Sequence, residues 1–321
     1  MRAVRVVRLD GPSAVEVGEV PEPDAGPDQV LVDVRAAGVN FPDVLQSKGL
    51  YQIKPELPFV LGSEAAGVVR RAPDGSGFAP GDRVAVFPGQ QAFAEVVACP
   101  AERVFALPDE VSFAAGACLP MNYLTAHFTL LARGRLTKGE SVLVHGAAGG
   151  VGTAVVQLAA ALGNRVIAVV STDAKAEVAR AAGAQETVLV EGFRDAVKGL
   201  TDGRGVDVVV DPVGGDRFTD SLRCLAPDGR LLVVGFTAGD IPTVRVNRLL
   251  LNNIDVVGVG WGAYVLGRPG YVARQWEELV PHLRSGALDP IISGTFGFAD
   301  AATALARIDA REVTGKVVLT P

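Results

Sequence analysis

The segment Val142-Leu-Val-His-Gly-Ala-Ala-Gly-Gly-Val-Gly152 constrains this chain more than any other stretch. An apolar β-branched run meets a cluster of glycines, which leads at once into an Ala- and Val-rich helical pattern. Glycines let the backbone bend and come close to a pyrophosphate, whose charge sits against the helix N-terminus. The spacing departs from a strict G-x-G-x-x-G, with Ala147 in the first position before Gly149 and Gly152. A strand–helix turn that holds no ligand would look similar in isolation. The surrounding βαβ pattern, with Gln157 and Gly163 closing the helix, speaks for the cofactor loop, with Ala148, Gly149, Gly150 and Val151 against the phosphates.

From Ser141 onward strands and helices alternate. Strands are expected at Ser141–His145, Arg165–Ser171, Thr187–Val190, Val206–Asp211 and Arg230–Gly235, and helices at Val151–Leu162, Ala174–Ala182 and Phe218–Cys224. Such alternation predicts a parallel sheet covered on both faces. Residues 1–110 read differently, as short β-branched runs at Ala3–Val7, Val30–Ala36, Ala65–Arg70, Arg83–Phe87 and Ala92–Ala98. Turn clusters such as Pro21-Glu-Pro-Asp-Ala-Gly-Pro27 separate them, which suggests a compact barrel or sandwich. Ser112 is positioned to cap a short helix to about Cys118, and a second helix is expected over Tyr123–Arg133. After a strand at Asp255–Gly260 come a Gly-rich switch (Gly260-Trp-Gly-Ala-Tyr264), a helix over Val272–Ser285 and a last strand, Lys316–Thr320. At 321 residues the chain has room for two cores. The expected fold class is α/β: a Rossmann doubly wound parallel-sheet domain together with a β-rich domain.

Several function classes are excluded by composition. Net charge is -6 and no Lys/Arg run exceeds a pair, so a nucleic-acid groove has no electrostatic footprint. Cys99, Cys118 and Cys224 are scattered without a C-x-x-C spacing, against both a disulfide framework and a structural zinc site. The first ten residues do not read as a secretory signal, and the most apolar region, Val142–Leu162, is interrupted by His145, glycines and Gln157. A cytoplasmic protein with a small-molecule partner, and neither nucleic acid nor membrane, is expected.

The choice of dinucleotide turns on the end of the second Rossmann strand. An NAD-preferring fold carries Asp or Glu there, about 20 residues beyond the glycines, to hold the ribose 2′-OH. Here the slot holds Val170, followed by Ser171, Thr172 and Lys175. A hydroxyl and an ammonium suit a 2′-phosphate, so NADPH (NADP+) is the expected cofactor. Asp173 argues the other way if it turns inward, and Lys175 reads equally as a solvated helix residue.

Ordered motifs along essentially the whole chain resemble the medium-chain dehydrogenase/reductases, and within them the zinc-independent quinone oxidoreductases. They are Gly38-Val-Asn-Phe-Pro-Asp43, Gly49-Leu-Tyr-Gln-Ile-Lys-Pro55, Leu57-Pro-Phe-Val-Leu-Gly-Ser-Glu-Ala-Ala-Gly67, Gly81-Asp-Arg-Val84, Leu124-Thr-Ala126, His145–Gly152, Asp211-Pro-Val-Gly-Gly215 and Gly315-Lys-Val-Val318. The resemblance implies a GroES-like catalytic domain of residues 1–121 and 265–321, with a Rossmann domain of residues 122–264 inserted between the two segments. Nicotinamide and substrate would lie in the cleft between the domains. Zinc alcohol dehydrogenases of this fold carry Cys in the first motif and Gly-His-Glu in the third. This chain has Asn40 and Gly62-Ser63-Glu64 there, which cannot supply the three ligands a catalytic zinc needs. No metal is expected. His127, His145 and His282 form no site in the sequence and read as structural.

The resemblance also implies roles for single residues. Asn40, in place of the zinc cysteine, would bond the nicotinamide ribose or the substrate oxygen, or only its own loop. Tyr51 stands where related enoyl-thioester reductases carry a proton-donating Tyr, and could instead be an aromatic wall. The segment Asn122-Tyr-Leu-Thr125-Ala126 would line the nicotinamide crevice, and Gly235 and Phe236 would offer backbone groups to the carboxamide. Arg311 matches an Arg that relatives turn toward the cofactor, or is a surface turn residue. Val190 stands where relatives often carry a Tyr beside the adenosine. Glu64 reads as structural, and Trp261 and Tyr264 as cleft walls or seam residues. The expected activity is hydride transfer from NADPH to a quinone or conjugated carbonyl. Reduction of an enoyl thioester or α,β-unsaturated ketone is the alternative, and an NADPH-binding sensor with little turnover is a third reading from another class. The apolar strand Ile254–Val259 closes the sheet at one edge, and such edges are pairing templates. A homodimer through that edge is expected, or an edge covered by a loop of the same chain.

Overall fold

A computed structural model describes all 321 residues. They divide into two compact units, one of Met1–Asn122 with Pro269–Pro321 and one of Tyr123–Arg268.

The first unit is β-rich. Its strands are β1 (Arg2–Val6), β2 (Val15–Glu19), β3 (Gln29–Val39), β4 (Phe59–Val60), β5 (Glu64–Arg71), β6 (Arg83–Val86), β7 (Val96–Pro100) and β8 (Val104–Ala106), with β15 (Ile292–Gly297) and β16 (Lys316–Thr320) from the C-terminal segment. A small sheet has the order β2-β1-β4, and a larger one the order β15-β16-β3-β5-β6-β8, with β7 also paired to β3. β3 is the longest of these strands and central, so it fixes the rest. Its end pairs Val39 with Val317 and Gly38 with both Val318 and Glu64. That register sets the first residues of β5 and β16 beside the residue that follows β3, Asn40. Val30, Val32, Ala37, Leu61, Val84, Phe93 and Val317 belong to the core beneath.

Helix α1 (Phe41–Ser47) starts directly after β3. Pro42 suits its first turn, where a missing N–H costs nothing, and Asp43 accepts the Asn40 N–H at 2.7 Å. The helix closes in a Schellman motif: Gly49 N–H bonds Gln46 O at 3.0 Å and Leu50 N–H bonds Leu45 O at 2.8 Å. Gly49 has φ 66°, which a residue with a Cβ rarely adopts. This closure places Tyr51. Ser112 caps α2 (Phe113–Gly116) through the Ala115 N–H at 3.1 Å, as the sequence suggests. α3 (Leu119–His127) carries the boundary between the units.

The second unit holds β9 (Ser141–His145), α4 (Gly150–Ala161), β10 (Arg165–Val170), α5 (Asp173–Ala181), β11 (Glu186–Leu189), α6 (Phe193–Leu200), β12 (Val206–Asp211), α7 (Phe218–Arg223), β13 (Leu225–Val233), α8 (Asn247–Asn252), β14 (Asp255–Gly258) and α9 (Trp261–Val265). The strand order β11-β10-β9-β12-β13-β14 is parallel throughout. It reverses between β9 and β12, so the Rossmann expectation holds, and such a switch point is where open α/β sheets bind ligands. β9 is buried from end to end, which explains its unbroken apolar run. α10 (Tyr271–Arg284) and α11 (Ala301–Asp309) return to the first unit.

Two local expectations are corrected. The Gly260–Tyr264 stretch is largely the short helix α9, since its glycines are few enough for one turn to form. The helix over Tyr123–Arg133 ends in a wider π segment, Phe128–Arg133, in which Gly134 N–H bonds Thr129 O at 2.7 Å, five residues back. α6 was unread in the sequence because its apolar stripe is short and flanked by charges. No helix is long and apolar enough to cross a membrane.

Candidate active site

The register at the end of β3 builds a buried polar cluster in the first unit. Glu64 is fully buried, and Lys316 is 3% exposed. Glu64 Oε1 accepts from Lys316 Nζ at 2.9 Å and from Asn40 Nδ2 at 2.7 Å, while Oε2 accepts the Met121 N–H at 2.7 Å. The other two donors of the ammonium go to Asn40 Oδ1 at 2.6 Å and Val39 O at 3.0 Å. Asn40 Oδ1 also accepts from Asn122 Nδ2 at 3.1 Å, and Asn40 Nδ2 reaches Gly38 O at 3.3 Å. A carboxylate on one side and an ammonium on the other fix which way this amide points.

The Asn40 side chain is therefore fully engaged within the cluster. Asn122, 3% exposed, uses one amide hydrogen on Asn40. Asp43 is 1% exposed and takes the Asn40 N–H as its one hydrogen bond. Burial raises its carboxyl, against the pull of that bond and of Lys316, to about 7. Tyr51 is half-buried, and burial first and the charge of Asp43 second raise its phenol above the ordinary value. Arg311 lies on an exposed turn with φ 59°.

This environment does not fit zinc. Asn40 turns its NH2 to Glu64, Ser63 offers a neutral hydroxyl, and Glu64 is bound by an ammonium. No group of three His, Cys, Asp or Glu side chains comes together. Cys118 lies near the cluster but is buried, which pushes its thiol up to about 12.

The second unit presents a different kind of site. The turn Gly146–Gly149 joins β9 to α4, and Gly149 brings no side-chain cap to the helix. The first-turn N–H groups are thus left for an acceptor from outside. A Cβ on Gly152 would lie 2.1 Å from Gly146 O, so only glycine lets the helix pack this closely on the turn. These features fit a dinucleotide pyrophosphate. At the end of β10, Lys175 Nζ and Ser171 Oγ meet at 3.2 Å on the exposed start of α5, and Thr172 caps that helix. Gly235 and Phe236 follow β13, with Phe236 39% exposed. Thr125 is buried and accepts the Thr129 hydroxyl through its carbonyl at 2.7 Å.

His145 is fully buried at the end of β9, its ring edge-on to Phe193. Its Nε2 lies 2.8 Å from Ser221 Oγ, and that hydroxyl donates to Arg217 O at 3.0 Å. The imidazole is therefore the donor to Ser221, with the lone pair on Nδ1. Burial lowers its pKa to about 4, with Asp211 pulling up and Arg217 pushing down, so it is neutral.

Residue type and spacing alone mark neither Lys316 nor Asp43 as a site residue. A signal existed for each: Asn40 and Asp43 have capping-box spacing, and Lys316 opens an otherwise apolar strand.

A β-rich unit whose first and last segments flank a Rossmann unit defines the medium-chain dehydrogenase/reductase class. Comparison with known proteins agrees. A family model for the alcohol dehydrogenase GroES-like domain matches residues 26–109, and one for zinc-binding dehydrogenases matches residues 150–284. Quinone oxidoreductase-like protein 2 of Bos taurus is 36% identical over 99% of this chain and 92% of its own. A probable oxidoreductase from Mycobacterium abscessus superposes with a TM-score of 0.93 at 42% identity, covering 100% of this chain and 99% of the other. Escherichia coli quinone oxidoreductase, solved with NADPH, gives 0.90 at 29% identity, with 100% of each chain covered. The chain belongs to the quinone oxidoreductase family of the medium-chain dehydrogenase/reductases, and it is an oxidoreductase.

Proposed function

We propose that the protein is an NADPH-dependent quinone oxidoreductase that works without zinc. The observation that carries this reading is the Lys316–Glu64–Asn40 cluster, which fills with an ammonium and an amide the place where zinc relatives hold their metal. The uncapped turn before α4 would take the pyrophosphate, with Ala148, Gly149, Gly150 and Val151 nearest it. Ser171 and Lys175 would hold the 2′-phosphate, and Asn122, Thr125, Gly235, Phe236 and Arg311 would bind the nicotinamide end. NADPH supplies the hydride. Reduction of a quinone or conjugated carbonyl leaves negative charge on oxygen, which needs a donor. Tyr51 is the catalytic donor in this reading, and Asn40 holds Asn122 toward the reacting groups.

The test is steady-state oxidation of NADPH and NADH by chelator-treated protein, with 1,4-benzoquinone and a crotonyl thioester as acceptors. Quinone turnover that prefers NADPH and survives chelation supports the proposal. Turnover of the thioester alone would make the protein an activated-alkene reductase, and tight NADPH binding with neither acceptor reduced would favour a sensor.

The same reading includes a homodimer. β14 pairs only with β13, and exposed Val256 lies on it, with Leu250 and Leu251 exposed on the preceding α8. Sedimentation should give a dimer, and Val256→Pro, which removes an edge-facing N–H, a monomer. A monomeric wild type would end this part of the proposal. The protein is expected in the cytoplasm, which fractionation would check.

A further inference from the structure

Within the Rossmann unit, the stretch of α3 that begins at Tyr123 is tied at both ends to the elements that carry the dinucleotide turn. At the near end the Tyr123 phenol donates to Gln157 Oε1 on α4 at 2.6 Å, and both side chains are buried. At the far end, past the π segment, Gly134 O and Arg135 O accept from Arg230 at 2.6 Å and 3.3 Å. The same guanidinium grips both carboxylate oxygens of Glu140, at 2.6 Å and 2.7 Å, and Glu140 directly precedes β9. Between these ties the fully buried Thr129 donates its hydroxyl to Thr125 O at 2.7 Å. Strand β9 and helix α4 are the elements that the turn Gly146–Gly149 joins.

Gln157 stands too far along α4 to touch a pyrophosphate. It lies seven residues past Gly150, about 10 Å from the helix start at 1.5 Å per residue. Its neighbours Val155, Val156, Leu158 and Ala159 are apolar and buried. An amide in such a place costs stability unless it is bonded, and a short bond between buried groups fixes direction as well as distance.

We propose that Gln157 is a positioning residue for hydride transfer: through Tyr123 it sets where Thr125 stands relative to the turn that takes the pyrophosphate. This deepens, and rests on, the reading of that turn and of Thr125 as neighbours of the two ends of NADPH. In the step so aligned, the acceptor gains one hydride, with both its electrons, from the C–H bond of NADPH that breaks. NADP+ is left, and the acceptor oxygen takes one proton. A misplacement of about 1 Å can slow a step of this kind about a hundredfold.

Tyr123→Phe and Gln157→Met each delete one end of the bond, and the double variant Y123F/Q157M replaces the pair by two apolar groups. Removing one partner strands a buried polar group, whereas removing both is nearly neutral. The melting temperature should therefore fall in each single variant and recover in the double. NADPH affinity, from fluorescence titration, should change less than about twofold throughout, because the turn itself is untouched. The emission of the bound dihydronicotinamide should shift in the single variants and stay shifted in the double. With 1,4-benzoquinone, kcat should fall roughly tenfold in all three, and the primary isotope effect with NADPH deuterated at the transferred position should rise. Wild-type emission in the single variants overturns the proposal. So does a double variant in which emission and kcat recover along with the melting temperature, since the bond would then be structural alone. A large loss of NADPH affinity would place Gln157 in the service of the turn and likewise overturn it. Should one single variant fail to fold, the other and the double carry the same comparison. Shifted emission in a protein that reduces no quinone would sink the quinone reading while upholding the role of Gln157.

Discussion

The two units each bury a titratable group that no opposite charge bonds, and the two groups are of opposite kind. Asp43 in the β-rich unit is raised to about 7 and His145 in the Rossmann unit is lowered to about 4, in both cases first by burial. Each is driven to its neutral form, yet they link stability to pH in opposite directions. The folded Asp43 binds a proton more tightly than the unfolded one, so its contribution weakens as pH rises from about 4 to about 7. The folded His145 binds its proton less tightly, so stability is lost as pH falls from 6.5 towards 4. Acid should thus open the Rossmann unit while relieving the other. Hydrogen exchange resolved by segment at pH 7 and pH 5 would show it; uniform weakening of both units would contradict the comparison.

The contrast breaks most severely if a paired charge is made unpaired. Lys316→Met leaves Glu64 buried without its ammonium and should cost about 3–5 kcal/mol, read by chemical denaturation. Adding Glu64→Gln should recover part of that loss. Next in size is the histidine itself. His145→Gln keeps a partner for Ser221 without the titration, and should remove up to about 3 kcal/mol of acid sensitivity below pH 6.5. Parallel acid curves for the variant and the wild type would rule this out. Smaller again is Gly152→Ala, whose new methyl must displace the Gly146 carbonyl. About 1–3 kcal/mol of stability should go, together with NADPH affinity measured by fluorescence titration. The smallest change should come from Lys175→Ala. It should leave the melting temperature alone and lower the preference for NADPH over NADH by about tenfold, since one charge-assisted bond is lost. An unchanged preference would remove Lys175 from the phosphate site.

Legibility from sequence followed the range of the interactions. Ser141–His145, Val206–Asp211 and Lys316–Thr320 were read with their observed bounds, because long apolar runs between turn residues are local signals. The Ser112 cap and the glycine turn before α4 were local as well. β2, β4, β8 and β15 were not read, being short or exposed on alternate residues, so that pairing rather than composition makes them strands. α6 was missed for a similar reason, since its charges hide an apolar stripe that only the sheet beneath it reveals.

The site divides along the same line. The order of residues alone determined the dinucleotide turn, the absence of zinc ligands at Asn40 and Ser63, and the lack of a carboxylate at Val170, because each depends on residue type at a fixed local spacing. Only the tertiary structure decided that Asn40 spends its amide on Glu64, Lys316 and Asn122, and that Asp43 is left without a cation. Those contacts join residues as far apart as Asn40 and Lys316, 276 positions along the chain. They exist because β3 takes its register from β5 on one side and β16 on the other. Burial then sets the charge of every group inside, and burial is a property of the packed sheets that no short stretch of sequence contains.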